Sequence, residues 1–530
     1  MQLSIWNWLL AFSPVIVILV LMLGFRWGGS KAGAFSWFVT LLLAVFRFGA
    51  GTQLIGYSQA KAILLSIDVL YIIWMALLLF HTAKEAGAVQ IISNSLVSIT
   101  SDRTFQGLLL GWLFVSFLQG MGGFGVPVAV TAPLLVGVGF SPIQAVIMAS
   151  VGHGWAVNFG SMATSFQTMM AITGLSGEYL AAEPAILLGL SAIICGMIVA
   201  YIAGGWKGLG RTLPFITIIG AIMGVVQYLL VTGGLWTLGA TGGAMSGLIV
   251  AIGLLRLNLF KRDNQTGVTD QNLDIDPNDR DPDMKKNSLV IALSAYLVLV
   301  VLAFASNLIV PLKEFINSLR LTLQFPALET SLGWVTPAET GRRITIFGHP
   351  GAILFYSSMI GYVIYRVTGH IEPGAPRRII KRVSQGAVKS SLGIIAMVGL
   401  AVLMSHSGMT NLLAQGMSQS FGEKFYPFVA PFIGTLGAFI TGSNNNANVL
   451  FGLLQKNTAE MLGLSVPLIL GAQTAGASLG SIIAPAKVIV GCSTVGLGNK
   501  EGMVMGRIMG YGLIPVVFVA CVTIILKIFF

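Results

Sequence analysis

The sequence predicts an all-α polytopic membrane protein with an internal repeat of opposite orientation, two re-entrant hairpins and two broken helices. Three observations predict it. Only 9% of the 530 residues are charged and 55% are hydrophobic, with a mean hydropathy of +0.85, whereas soluble proteins carry roughly 25% charged residues. So few charges cannot cover a water-exposed surface. Apolar runs of spanning or near-spanning length follow one another along the chain, separated mostly by short basic loops. Two stretches resemble each other at a nearly constant offset. The 65 glycines fit helices that pack closely in lipid.

The apolar runs are 9–25, 32–46, 62–80, 105–118, 185–203, 213–231, 235–255, 288–310, 352–367, 391–404, 425–440 and 511–526. A helix needs ~20 residues to cross ~30 Å of hydrocarbon, so the shorter runs borrow flanking residues, and the chain is expected to form about 12–14 transmembrane helices. The first run has no basic residues before it and no small-residue cleavage site, which makes it a retained helix. The net charge of +11 resides largely in short loops, where it orients the chain in a bilayer and gives no reason to expect a nucleic-acid partner. Arg26 with Lys31, Lys84 with Arg103, Lys207 with Arg211, the segment from Lys261 to Lys286, and the cluster Arg366, Arg377, Arg378, Lys381, Arg382 are expected on the cytoplasmic side. The amino terminus, the segment with Glu178 and Glu183, and the connection 311–350 with Glu314, Glu329 and Glu339 then lie outside. The stretch 256–287, with seven aspartates, reads as a flexible cytoplasmic linker and lacks the spacing of a calcium loop. Cys195, Cys492 and Cys521 read as small core residues.

The repeat is seen in Ser141 and Ser465, and in Gly152 and Gly476, both pairs offset by 324. Around them GFSP leads into ASVGHG in one copy, and GLSVP into QTAGAS in the other. His81 maps to His406, Asp102-Arg103 to Glu423-Lys424, and Gly120 to Gly442, in the same order. The loop charges give the two copies opposite directions, which is how secondary transporters build one site that can face either side of a membrane. The expected units are 1–61 (first helices), 62–178 (first repeat), 179–256 (connecting helices), 257–287 (linker), 288–386 (helices and an extracytoplasmic loop), 387–502 (second repeat) and 503–530 (last helix).

Within each copy the apolar pattern breaks twice. The first break holds Gly122, Gly123, Phe124 and Gly125, matched by Ser443, Asn444, Asn445, Asn446 and Asn448. The second holds His153 and Asn158, matched by Gln473, Thr474 and Ser478. Irregular, polar backbone at membrane depth is tolerated only inside protein or beside a wet cavity. These residues are therefore expected to line a substrate site, with half-helix N-termini turned toward an anion. Asparagine amides supply donors and an acceptor suited to a carboxylate and a hydroxyl; a polar turn outside the membrane is the plainer reading. Charge in the apolar runs is scarce. Asp68 is a proton-coupling candidate or a structural hydrogen-bond anchor. His153 is a proton carrier, a substrate contact or a core histidine. Lys487 either neutralises a bound carboxylate or snorkels. His81 and His406, at span ends, are expected at the membrane interface.

The stretches GMGGFGVPVAVTAPLLVGVGFSP, ASVGHGWAVNFGSM, ITGSNNNANVLFGLLQ and AQTAGASLGSIIAPAKV resemble those of the bacterial lactate permease family, over nearly the whole chain. The resemblance implies proton-coupled symport of lactate, and often glycolate or related 2-hydroxy monocarboxylates, across the cytoplasmic membrane. The wider group that this family is similar to uses inverted repeats and often elevator-like motion. No binding residues are carried over from the resemblance. Lactate or glycolate anion, proton and lipid bilayer are the expected partners, with a homo-oligomer left open. No cofactor or metal is expected, and no enzyme: the histidines are scattered and no phosphate-binding or dinucleotide motif appears. A sodium-coupled carboxylate transporter is the nearest alternative. An anion channel would need a ring of charges that the sequence does not suggest.

Overall fold

The chain is described by a computed structural model covering residues 3–25, 27, 29–123, 125–257, 288–340, 344–497 and 501–529. Arg26, Phe124, the linker residues 258–287 and Lys500 lie outside the described residues. All twelve apolar runs fall in helical segments. Eight helices among the described residues are long and apolar enough to cross a membrane, and three shorter apolar helices accompany them. The count is below the expected one for two reasons. The runs 185–203 and 213–231 join in one helix, Ala182–Thr232, across a left-handed Gly205 (φ 62°). The runs 9–25 and 32–46 also fall in two of the three shorter helices, Ile5–Ile18 and Ser30–Phe46.

The elements come in two matching series. In the first, Arg103–Met121 ends at Gly122, Val126–Gly137 follows, then Pro142–Gly152, an irregular stretch, and Thr164–Thr173. In the second, residues 423–441 end at Gly442, Asn444–Met461 follows, then Val466–Gly480, a short irregular stretch, and Pro485–Thr494. The local causes match as well. Ser141 and Ser465 each cap the third helix by accepting from a backbone N–H, with proline in its first turn. Asp102 takes a 2.7 Å ion pair from Arg211, and Glu423 takes one of 2.7 Å from Lys527.

Packing is exchanged between the series. The Asn444–Met461 helix lies against Thr164–Thr173, and Val126–Gly137 lies against Pro485–Thr494. Each second arm of a hairpin thus rests on the broken helix of the other series. Outside this core, Thr52–Glu85 and Ala375–His406 pack along each other, and Glu85 receives both Arg378 (2.5 Å) and Arg382 (2.6 Å) at one end of the pair. The main apolar cluster surrounds Trp112, Phe114, Trp155, Phe159 and Tyr296.

Three expectations change. The fold is not purely helical: three nested antiparallel ladders between Arg320 and Thr345 form one long β-hairpin. Its tip is pinned where Ser331 N–H donates to Gly49 O (2.9 Å). His406, expected at the interface, is buried beneath that hairpin, and Thr336 donates to its carbonyl. Cys195 and Cys492 are buried as expected, whereas Cys521 is exposed.

Candidate functional site

The two series meet at a cleft of about 350 Å³, its open mouth included. From the first series it is lined by Gln119, Gly123, Val157, Ser161, Thr164 and Ser165; from the second by Gly442, Ser443, Asn444, Asn445 and Lys487.

One wall is a strained turn. Ser161, Met162 and Ala163 follow one another in the left-handed region (φ 47°, 58°, 57°), a conformation costly for residues with a Cβ and concentrated at functional sites. It is held because Ser161 N–H donates to Gln119 O (2.8 Å) and Met162 N–H reaches Gly120 O (3.4 Å). Those are carbonyls at the end of a helix, which lack partners within it. A Cβ on Gly123 would strike Ser161 Oγ and come within 3.3 Å of Gln119 Nε2, so glycine lets both polar groups reach the cleft.

The opposite wall is the start of the Asn444–Met461 helix. Ser443 caps it by accepting from Asn446 N–H, and its free N–H groups give this end a positive potential. Beside it stands Lys487, 8% exposed. Its ammonium donates to Ser481 Oγ (2.9 Å), and no carboxylate pairs with it among the described residues. A buried cation left unpaired costs several kcal/mol, which makes this corner of the cleft receptive to an anion. Two amide atoms lining the cleft are likewise unpartnered among the described residues, Gln119 Oε1 and Asn445 Nδ2. Asn445 Oδ1 is already taken by Ser165 Oγ (2.5 Å).

Of the sequence candidates, Gly123, Ser443, Asn444, Asn445 and Lys487 line the cleft. The rest do other work. The asparagines are not unwound: Asn444 to Asn448 form the first turns of a helix. Gln473, Thr474 and Ser478 are also helical, because the second break of this series falls later, at Ser481–Ile483 and Ala484. Their side chains join the halves. Thr474 Oγ1 donates to Asn158 Oδ1 (2.6 Å) and accepts from Asn448 Nδ2 (2.8 Å), which also reaches Ser165 O (3.1 Å). Asn444 Nδ2 donates to Ser478 Oγ (2.9 Å), and Gln473 Oε1 accepts from Gln455 (2.9 Å). Asn446 is buried without lining the cleft. Gly122 stands against Phe80, and Gly125 is a left-handed helix start. Phe124 lies outside the described residues. His153 caps the end of Pro142–Gly152, and its Nδ1 is 2.7 Å from Ala149 O. It feels the charge of Lys487 but does not line the cleft.

Asp68 is not brought to the cleft. It is buried on Thr52–Glu85, and its Oδ1 lies 3.0 Å from Nε2 of His349, 281 residues away. The His349 ring stacks on Tyr71 (4.9 Å), and its Nδ1 accepts from Gly351 N–H (3.1 Å) at the start of Pro350–Val367. Sequence reasoning missed His349, Gln119, Thr164 and Ser165, whereas Ser161 falls in the second break of the first copy. The signal for Gln119 was available: it is an amide standing directly between the apolar run 105–118 and the first break.

The chain is similar in sequence to known proteins over nearly its whole length. A family model described as L-lactate permease matches residues 7–530. A glycolate permease of Escherichia coli (strain K12) is 26% identical, over 98% of this chain and 95% of its own. An L-lactate permease of Bacillus subtilis (strain 168) is 26% identical, over 97% and 95%. Among solved structures, the YdaH transporter of Alcanivorax borkumensis is similar at a TM-score of 0.48 with 14% identity, over 90% of this chain and 88% of that one.

Proposed function

The chain belongs to the L-lactate permease family, and on that premise we propose that this multi-pass membrane protein carries lactate, and glycolate or related 2-hydroxy monocarboxylates, through the cleft between its two series, together with a proton. One observation carries the reading: Lys487 is buried at a polar cleft beside a helix N-terminus, with no acid among the described residues to neutralise it. A monocarboxylate entering there gains the ammonium and the helix end together. Its arrival removes the cost of the buried charge, so binding and charge compensation are one event.

The matching order of elements, the exchanged packing and the loop charges support an inverted pair of repeats with the amino terminus outside. In this reading one proton accompanies one anion, so the cycle moves no net charge. Asp68, the buried carboxyl of the outer helix pair, is the group assigned to hold that proton, with His349 positioning it. Counterflow of labelled lactate in proteoliposomes tests the transport reading, and uptake driven by a pH gradient against one driven by a sodium gradient tests the coupling. Asp68→Asn keeps an acceptor for His349 but cannot gain a proton. It should leave counterflow in place and abolish acceleration by a pH gradient; unchanged acceleration removes Asp68 from the mechanism.

A further inference from the structure

The cleft presents three unsatisfied functions: a cation at Lys487, an acceptor at Gln119 Oε1 and a donor at Asn445 Nδ2. A carboxylate only accepts, so it leaves the acceptor Gln119 Oε1 unmet. Ser165 fixes the division of labour on the asparagine, because its hydroxyl donates to Asn445 Oδ1 (2.5 Å) and leaves the buried NH₂ as the group without a partner among the described residues. Gln119 is 3% exposed and Asn445 6%, so neither group is hydrated as it would be at a surface, and each left unmade costs about 1–3 kcal/mol. A hydroxyl is the small group that meets both at once, giving its hydrogen to an acceptor and taking one from a donor.

We propose that Gln119 and Asn445 are the specificity-determining residues for the 2-hydroxyl of the substrate: the hydroxyl donates to Gln119 Oε1 and accepts from Asn445 Nδ2, while Lys487 holds the carboxylate. This rests on the cleft being the substrate site. It makes the protein a selector of 2-hydroxy acids over plain monocarboxylates. A site built to bond a hydroxyl rejects the analogue lacking it through the polar groups left unpaired.

The test is competition against counterflow of labelled lactate in proteoliposomes of the full chain, with unlabelled lactate, glycolate, propionate and 2-methoxypropionate. For the unaltered protein, lactate and glycolate should compete roughly 100-fold better than propionate. The methoxy acid, which keeps the oxygen but has no hydrogen to give Gln119, should compete as poorly as propionate. Equal competition by lactate and either analogue overturns the proposal without any variant. Gln119→Met and Asn445→Ala should each weaken lactate about tenfold or more and leave propionate within about twofold; a lactate-to-propionate ratio that stays at its original value in both overturns it. Lys487→Met separates the proposal from its premise. Intact counterflow in that variant removes the cleft as the substrate site, whereas lost counterflow together with an unchanged ratio in Gln119→Met and Asn445→Ala removes only the hydroxyl assignment.

Discussion

At Ser116 in the first series and Thr435 in the second, one hydroxyl does the same job. Ser116 Oγ donates to Trp112 O (2.6 Å) in its own helix and to Gly152 O (3.1 Å) in the neighbouring helix. Thr435 Oγ1 donates to Pro431 O (2.8 Å) and to Gly476 O (2.9 Å). The two crossings are tight in the same way: a Cβ on Gly152 would land on the Gly111 carbonyl, and one on Gly476 on the Pro431 carbonyl. A few residues further on, the halves part. The first contributes a glycine break, a left-handed turn and Gln119; the second contributes a capped helix of asparagines and, among the described residues, the only cation lining the cleft. The difference teaches that the backbone frame is what the two series share, while the recognition chemistry is divided between them. An asymmetric ligand with a charged end and a hydroxyl needs that division, since a symmetric pair of walls would offer it the same group twice.

The comparison predicts which changes are matched between the halves and which are not. The largest unmatched effect is Lys487→Met, expected to lower lactate uptake about 100-fold or more, because nothing in the first series replaces a buried cation. Lys456→Met, which loses a part-buried bond to Thr173 O and a 3.9 Å ion pair with Glu460, should leave uptake within about twofold; comparable losses in both would dissolve the special standing of the cleft. Next come the two crossings. Gly152→Ala and Gly476→Ala should each destabilise by about 3 kcal/mol, read as thermal unfolding in detergent. A large loss at one and none at the other would break the likeness of the frames. Thr474→Val should cost about 2 kcal/mol by stranding the Asn158 and Asn448 amides, and a neutral result would mean that this network does not join the halves. The smallest and sharpest is the hydroxyl pair itself. Thr435→Ala should cost about 1 kcal/mol, and Ser116→Ala somewhat more, because Trp155 Nε1 also donates to Ser116 Oγ (2.9 Å).

Much of the frame was legible because hydropathy and the offset of Gly152 and Gly476 are properties of composition and order. The helical segments and the first break of each series follow from them. Helix ends were less legible. Asn444 to Asn448 read as unwound because asparagine is a poor helix former, yet a first turn is where such residues cap and bond outward. Gln473 to Ser478 read as a break as well, although they stay helical: Thr474 bonds across the interface to Asn158, and Gln473 and Ser478 bond to Gln455 and Asn444 of their own series. Long-range pairing was not legible at all. Nothing local to Asp68 points to His349, and nothing local to Ser165 points to Asn445, 280 residues away. The β-hairpin was hidden in a stretch whose strands are two residues each, too short for an alternating pattern to register.

The contact from Gly351 to His349 fixes more than an angle. A ring nitrogen that accepts a backbone N–H carries no hydrogen, so Nδ1 is bare and the imidazole keeps its one hydrogen on Nε2, directed at Asp68. In that tautomer the one ring accepts at Nδ1 and donates at Nε2, so His349 ties the start of Pro350–Val367 to the middle of Thr52–Glu85.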